Sequence, residues 1–167
     1  MDTSKLNSWL SLIANVAVVG GIIFLAIEIQ QNNVLLRSES RQALLTNDHT
    51  SLVADLDQLD VIQKLAFGGE LSTEEQLRLS FVFLIDLRNR EFEYAQYING
   101  LLDEPTWQSY RNVILINHAS GRGRVWWEKV GRNIVDPEFG KMVDELLVDA
   151  EESNAYRDLA TWDEDSN

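Results

Sequence analysis

Between Trp9 and Ile27 the chain runs for nineteen residues without a charge, WLSLIANVAVVGGIIFLAI, and only Ser11 and Asn15 are clearly polar. At about 1.5 Å per residue a helix of this length reaches roughly 28 Å, close to the hydrocarbon thickness of a bilayer. A helix of a soluble bundle carries a polar stripe every third or fourth residue. Here Leu12, Ile13, Val16, Val19, Ile22, Ile23 and Phe24 spread over every face, and Trp9 stands at one end, where an interfacial aromatic belongs. The other readings are a fully buried core helix and a cleaved signal peptide. The second lacks its basic leader and small-residue cleavage site, because IEIQQNN follows Ala26. Residues 9–29 are therefore expected to form a transmembrane helix behind a short tail, 1–8.

Within the span Ala17 and Gly21 lie four apart, and Gly20 adjoins them. Small residues at that spacing let two helix backbones approach in lipid, and Asn15 can add an interhelical hydrogen bond. Such a face points to a homo-oligomer or to packing against another membrane protein. It also fits a membrane helix that has no partner but lipid. Arg37 and Arg41 follow the span and Lys5 precedes it, a small excess of basic residues on the C-terminal side. That excess, with the absence of cysteine, places the C-terminal part in the cytoplasm.

Past the span the chain holds no Gly before Gly68, and its only prolines are Pro105 and Pro137. Val34, Leu35, Leu45, Leu52, Val53 and Leu56 recur at helical spacing, so the membrane helix should continue into water, with a break expected near Asn47 and Asp48. Gly68 and Gly69 close a short helix. Ser72-Thr73-Glu74-Glu75 forms a capping box, and the helix behind it, through about Leu101, contains the core sequence FVFLI. Asp103 caps the next helix with Pro105 in its first turn, and Asp136-Pro137-Glu138 starts a last one through about Glu152. Alternating strand patterns of convincing length are missing. The fold class is all-α: an N-terminal transmembrane helix continuing into a helical bundle over 30–153, with an acidic tail, 154–167, expected to fray.

The formal net charge of -13 excludes nucleic acid, which demands clustered Lys and Arg. From Asp144 onward nine acids stand against one Arg, which keeps that end off an anionic lipid surface. His49 and His118 have no ligand-like partners at helical spacing, so neither a metal site nor a bound cofactor is indicated, and both read as surface or satisfied histidines. Gly121-Arg122-Gly123-Arg124 lacks the Lys-Ser/Thr of a phosphate loop and follows no strand.

Two features remain as candidates for a ligand or partner surface. Asp86, Arg90, Glu93 and Tyr97 recur at spacings of four, three and four, so they share one helical face. They read first as a solvated face of ion pairs and otherwise as the lining of a cavity. Trp126 and Trp127 point about 100° apart, so either both pack at a helix junction or one meets a partner. No nucleophile, metal ligand set or phosphate loop accompanies them, and no catalytic residue is assigned.

These residues together give the chain a resemblance. LAIEIQQNN (25–33), EFEYAQYINGLLDEPTW (91–107), GRVWW (123–127) and DPEF (136–139) resemble elements of a widespread bacterial group of small proteins with one N-terminal membrane helix and a compact helical domain. Glu28 and Gln30 depart from its pattern. The resemblance implies a bacterial inner-membrane protein and no activity. The expected function is a non-enzymatic assembly module, contacting membrane lipid and oligomeric or accessory to a membrane complex. The alternative is a membrane-anchored ligand-binding or sensory domain with a pocket between helices.

Overall fold

The computed structural model describes residues 3–163, and among them every regular element is helical. The order is α1 (Thr3–Leu56), α2 (Leu59–Phe67), α3 (Thr73–Ile98), α4 (Glu104–His118), α5 (Gly121–Lys129), a 3₁₀ turn (Gly131–Asn133), α6 (Pro137–Val148) and α7 (Ala155–Thr161). The all-α reading holds. The chain divides between Ser40 and Arg41 into two compact units. The break expected near Asn47 is absent, since α1 runs through it without a helix breaker.

The first unit is the N-terminal part of α1. From Leu6 to Glu39 every residue is exposed, and the helix is long and apolar enough to cross a membrane. A side chain placed on Gly20 or Gly21 would meet nothing, and Asn15 and Ala17 are equally open.

In the second unit the local signals act as written. Ser72 accepts from the Glu75 amide while Glu75 accepts from the Ser72 amide, so α3 begins with two satisfied donors. Asp103 accepts from the Thr106 amide with Pro105 behind it, and Asp136 accepts from the amides of Glu138 and Phe139. Gly68 and Gly69 end α2 with φ of 79° and 139°, conformations that L side chains rarely adopt.

The core forms around α3, whose Leu79, Phe83 and Leu87 meet Trp107 and Ile114 of α4, both tryptophans of α5, and Phe139, Val143 and Leu147 of α6. Each fully buried Leu, Val or Phe contributes about 1.5–3 kcal/mol. Trp126 and Trp127 are both buried: the Trp126 ring lies 5.5 Å from Phe83, and the Trp127 indole donates to Asp144 at 2.9 Å. Both indoles can pack inward because α5 is walled on more than one side. Within the segment expected to fray, Ala155–Thr161 form α7, whose Tyr156 is half-buried and donates to Asn117, while residues 164–167 lie outside the described residues.

The glycine-rich sequence before the tryptophans has a structural role. Arg122 donates to the carbonyls of Lys64 and Gly69, and Arg124 to those of Leu147 and Ala150. The guanidinium groups thus satisfy carbonyls around the ends of α2 and α6. Gly123 lets α5 lie against the end of α4: a Cβ there would sit 2.0 Å from the Asn117 carbonyl oxygen and 2.8 Å from His118 Cα. Gly123→Ala is expected to cost about 1–3 kcal/mol as the backbone shifts, read as a lower midpoint in chemical denaturation of the full chain followed by tryptophan emission.

Candidate functional site

Asp86, Arg90 and Glu93 occupy one face of α3, and that face is not solvated. Arg90 and Glu93 are buried and Asp86 nearly so, which overturns the reading of the stripe as an ordinary surface of ion pairs. Arg90 stands at the centre. Its Nη2 donates to Asp48 Oδ1 at 2.5 Å, its Nη1 lies 3.1 Å from Glu93 Oε2, and its Nε lies 3.5 Å from Asp86 Oδ1. The Tyr110 ring lies under the guanidinium, 5.2 Å from centroid to Cζ, close enough for a cation–π attraction. Asp48 comes from α1, so Arg90 ties that helix to α3 across 42 residues of chain.

His118 adjoins the cluster from α4 and is fully buried. Its ring stacks on Trp126 at 5.6 Å and lies 5.6 Å from Phe83. Nε2 points to Asp86 Oδ2 at 3.7 Å, too long for a hydrogen bond, and among the described residues neither ring nitrogen has a hydrogen-bond partner. His118 is therefore not the satisfied or surface histidine expected of it, whereas His49 is exposed. The spacing of His118 on α4 gives no hint of this, because its acidic neighbour lies on another helix.

Burial sets the protonation of these groups. It raises Glu93 to about 8 and Asp86 to about 6, with Arg90 opposing both shifts, and it lowers His118 to about 4. Near neutral pH Glu93 is thus mainly a neutral acid, Asp86 mainly a carboxylate and His118 a neutral imidazole.

Asp86 and Arg90 also face a cavity of about 680 Å³, within the range of small-ligand sites. It lies among the C-terminal part of α1, α2, α3, α4 and α7. Its walls are apolar, with Leu52, Leu59, Ile62, Val113, Ile116 and Leu159, and its polar groups include Asp48, Asp55, Asp86, Arg90, Asn117 and Tyr156. Tyr156 donates to Asn117 Oδ1, and the Asn117 side chain favours the ionised form of the Asp86 carboxyl. An apolar chamber with a few converging polar groups can hold a molecule by its body and orient it by its head.

The other candidate residues lie elsewhere. Tyr97 stacks on Trp107 at 5.6 Å and donates to Glu104, and it does not line this cavity. Trp126 and Trp127 belong to the core. Asn15, Ala17, Gly20 and Gly21 lie on the exposed first unit. Among the described residues no group of three or more His, Asp and Glu is placed to hold a metal ion. No protein-family model matches the chain, and neither a curated protein nor a solved structure is significantly similar to it.

Asp55, Asn117 and Tyr156 were not singled out from the sequence, since nothing local to them marks a site. The cluster itself has a pH signature. Glu93 and Asp86 hold a proton more tightly folded than unfolded, so the stability they confer is full below about pH 4 and falls as pH rises through about 6 for Asp86 and 8 for Glu93. His118 acts in the opposite sense: its contribution is full above 6.5 and is lost as pH falls through about 4. Between pH 6.5 and 8 the decline therefore belongs mainly to Glu93, at most about 2 kcal/mol. Glu93→Gln should flatten that limb in denaturant titrations at stepped pH, and an unchanged slope would remove Glu93 as its source.

Proposed function

We propose that this chain is a membrane-anchored helical domain that binds a small amphiphilic molecule in the cavity beside α1, α3 and α4. The observation that carries this reading is the convergence of Asp86 and Arg90, both taken out of water, on an apolar-walled chamber. Buried ion clusters seldom outdo apolar packing in stability, so one that opens into a cavity is better explained by recognition than by folding. The anchor is the apolar helix from Trp9 to Ile27, and the basic residues Arg37 and Arg41 support a cytoplasmic domain at a bacterial inner membrane.

The test uses the full chain, methyl-labelled, in zwitterionic lipid nanodiscs. Octanol, an uncharged eight-carbon probe, should shift the methyl resonances of Ile62, Val113 and Leu159 in a saturable manner and leave those of Ile114 in the core in place. Val113→Trp, which narrows the chamber, should weaken the saturable shifts at Ile62 and Leu159. Equal shifts in the narrowed variant would reject the cavity as the site.

A second role, assembly through the span, has its own support in the open face of Asn15, Ala17, Gly20 and Gly21, where another helix could approach closely. Crosslinking of the full chain in native membranes should then trap a dimer that Gly21→Leu weakens. Monomer alone at every expression level, with no co-purified protein, would refute assembly.

A further inference from the structure

This inference rests on the ligand-binding reading above and names the chemistry of the ligand. Of the charged residues that line the cavity, three are acids, Asp48, Asp55 and Asp86, and one is basic, Arg90. The guanidinium is already engaged. It donates to Asp48, lies within 3.5 Å of Glu93 and Asp86, and covers the Tyr110 ring; its Nε makes no hydrogen bond and lies 3.5 Å from Asp86, so its one charge is ringed by acids. The acids are not fully engaged. Asp86 Oδ2 is buried with no hydrogen-bond donor on it, and the neutral His118 ring lies 3.7 Å away. Asp55, half-buried on the wall formed by α1, has no basic partner among the described residues. Asn117 Oδ1 accepts from Tyr156 and has a second lone pair.

The chamber therefore offers acceptors and negative charge where a ligand head would sit, and apolar side chains where its body would lie. A carboxylate or phosphate head would enter beside three acids, with only Arg90, whose charge those acids already surround, to meet it. An uncharged alcohol would leave the surplus charge unbalanced. A bare metal ion would find, among the described residues, no group of three ligands placed for it and would leave the apolar walls unused. We infer that the cavity takes an amphiphilic amine, whose ammonium donates to Asp86 and Asp55 while its hydrocarbon part lies against Leu52, Ile62, Val113 and Leu159.

An ammonium carries three donors on one carbon stem, which matches acceptors spread over two helices better than a single hydroxyl does. Its charge also meets Asp86, a side chain only 15% exposed, so the charged pair is worth more than on an open surface. The dependence on the preceding reading is limited to the location of the site. The choice of head group follows from the charges.

Three probes with the same tail separate the outcomes: octylamine, octanol and octanoate, each titrated at pH 7 into the full chain in zwitterionic nanodiscs, with the Ile62 and Val113 methyl shifts as readout. Octylamine should bind about tenfold or more tightly than octanol, and octanoate more weakly than either. Asp55→Asn and Asp86→Asn should each lower the ratio of amine to alcohol affinity toward one; partitioning into lipid cancels between variants in identical discs. Asp55→Asn covers the case in which Asp86→Asn disturbs the Arg90 cluster, because Asp55 takes no part in an ion pair among the described residues. Equal affinity for amine and alcohol, or tighter binding of octanoate, would overturn the amine assignment with the cavity reading intact. No saturable shift with any of the three would overturn both.

Discussion

The buried guanidinium of Arg90 is the contact on which the arrangement of the helical domain turns. One side chain on α3 meets carboxyls from its own helix, at Asp86 and Glu93, and from α1, at Asp48. Taking such a group out of water costs several kcal/mol, and the cost is recovered only with partners on several sides. Removing one member of a buried ionic group of this kind typically costs 3–5 kcal/mol, because its partners are left charged and unpaired. Glu93 lessens the problem by remaining protonated near neutral pH, which leaves one guanidinium opposite two carboxylates in contact with it. The cluster is then close to electrical balance on the core side and acidic on the cavity side.

The apolar core and the ionic cluster hold different parts of the domain. Helices α3 to α6 pack through Phe83, Trp107, Ile114, Trp126, Trp127 and Phe139, while Arg122 and Arg124 fasten helix ends that would otherwise leave carbonyls bare. Helix α2 is set against α3 by Arg78, which donates to both carboxylate oxygens of Asp60 and to Gln58. Close approach at Gly123 then brings His118, at the end of α4, beside the tryptophans of α5. That approach explains a histidine with neither nitrogen bonded: its surroundings are fixed by aromatic packing, and its imidazole stays neutral.

What could be read from the sequence was whatever depends on neighbours in the chain. The Ser72 capping box, Asp103 before Pro105, and Asp136 before Pro137 each act within one helical turn, so their residue types determine their roles. The spacing of Asp86, Arg90 and Glu93 likewise placed them on one face, but burial of that face depends on Asp48, 42 residues away in the chain, and on Tyr110 of α4. A run of alternating charges looks the same whether water or another helix lies opposite. Trp126 and Trp127 show the complementary limit: their directions differ as helix geometry requires, yet both are buried because core surrounds α5 on more than one side. The acidic composition of the last residues suggested fraying, whereas Tyr156 gives that segment a bonded partner in Asn117.

Within the domain, the C-terminal part of α1 differs from the other helices in what holds it. From Arg41 to Leu56 only Leu44 is fully buried, while Leu45, Leu52, Val53 and Leu56 are exposed. Its other ties are polar: Arg41 to Asp103 at 3.1 Å, Asp48 to Arg90 at 2.5 Å, and Ser51, which accepts from Asn89 at 2.7 Å. The exposed pair at Arg41 contributes little in water, so the buried contact at Asp48 carries most of the polar attachment. The same segment supplies Asp48, Asp55 and Leu52 to the cavity. A wall held by apolar packing would be indifferent to charge inside the chamber, whereas one held by a carboxylate on a shared guanidinium is not. Charge in the cavity and the seating of α1 are therefore one electrostatic problem, and Arg90 is where they meet.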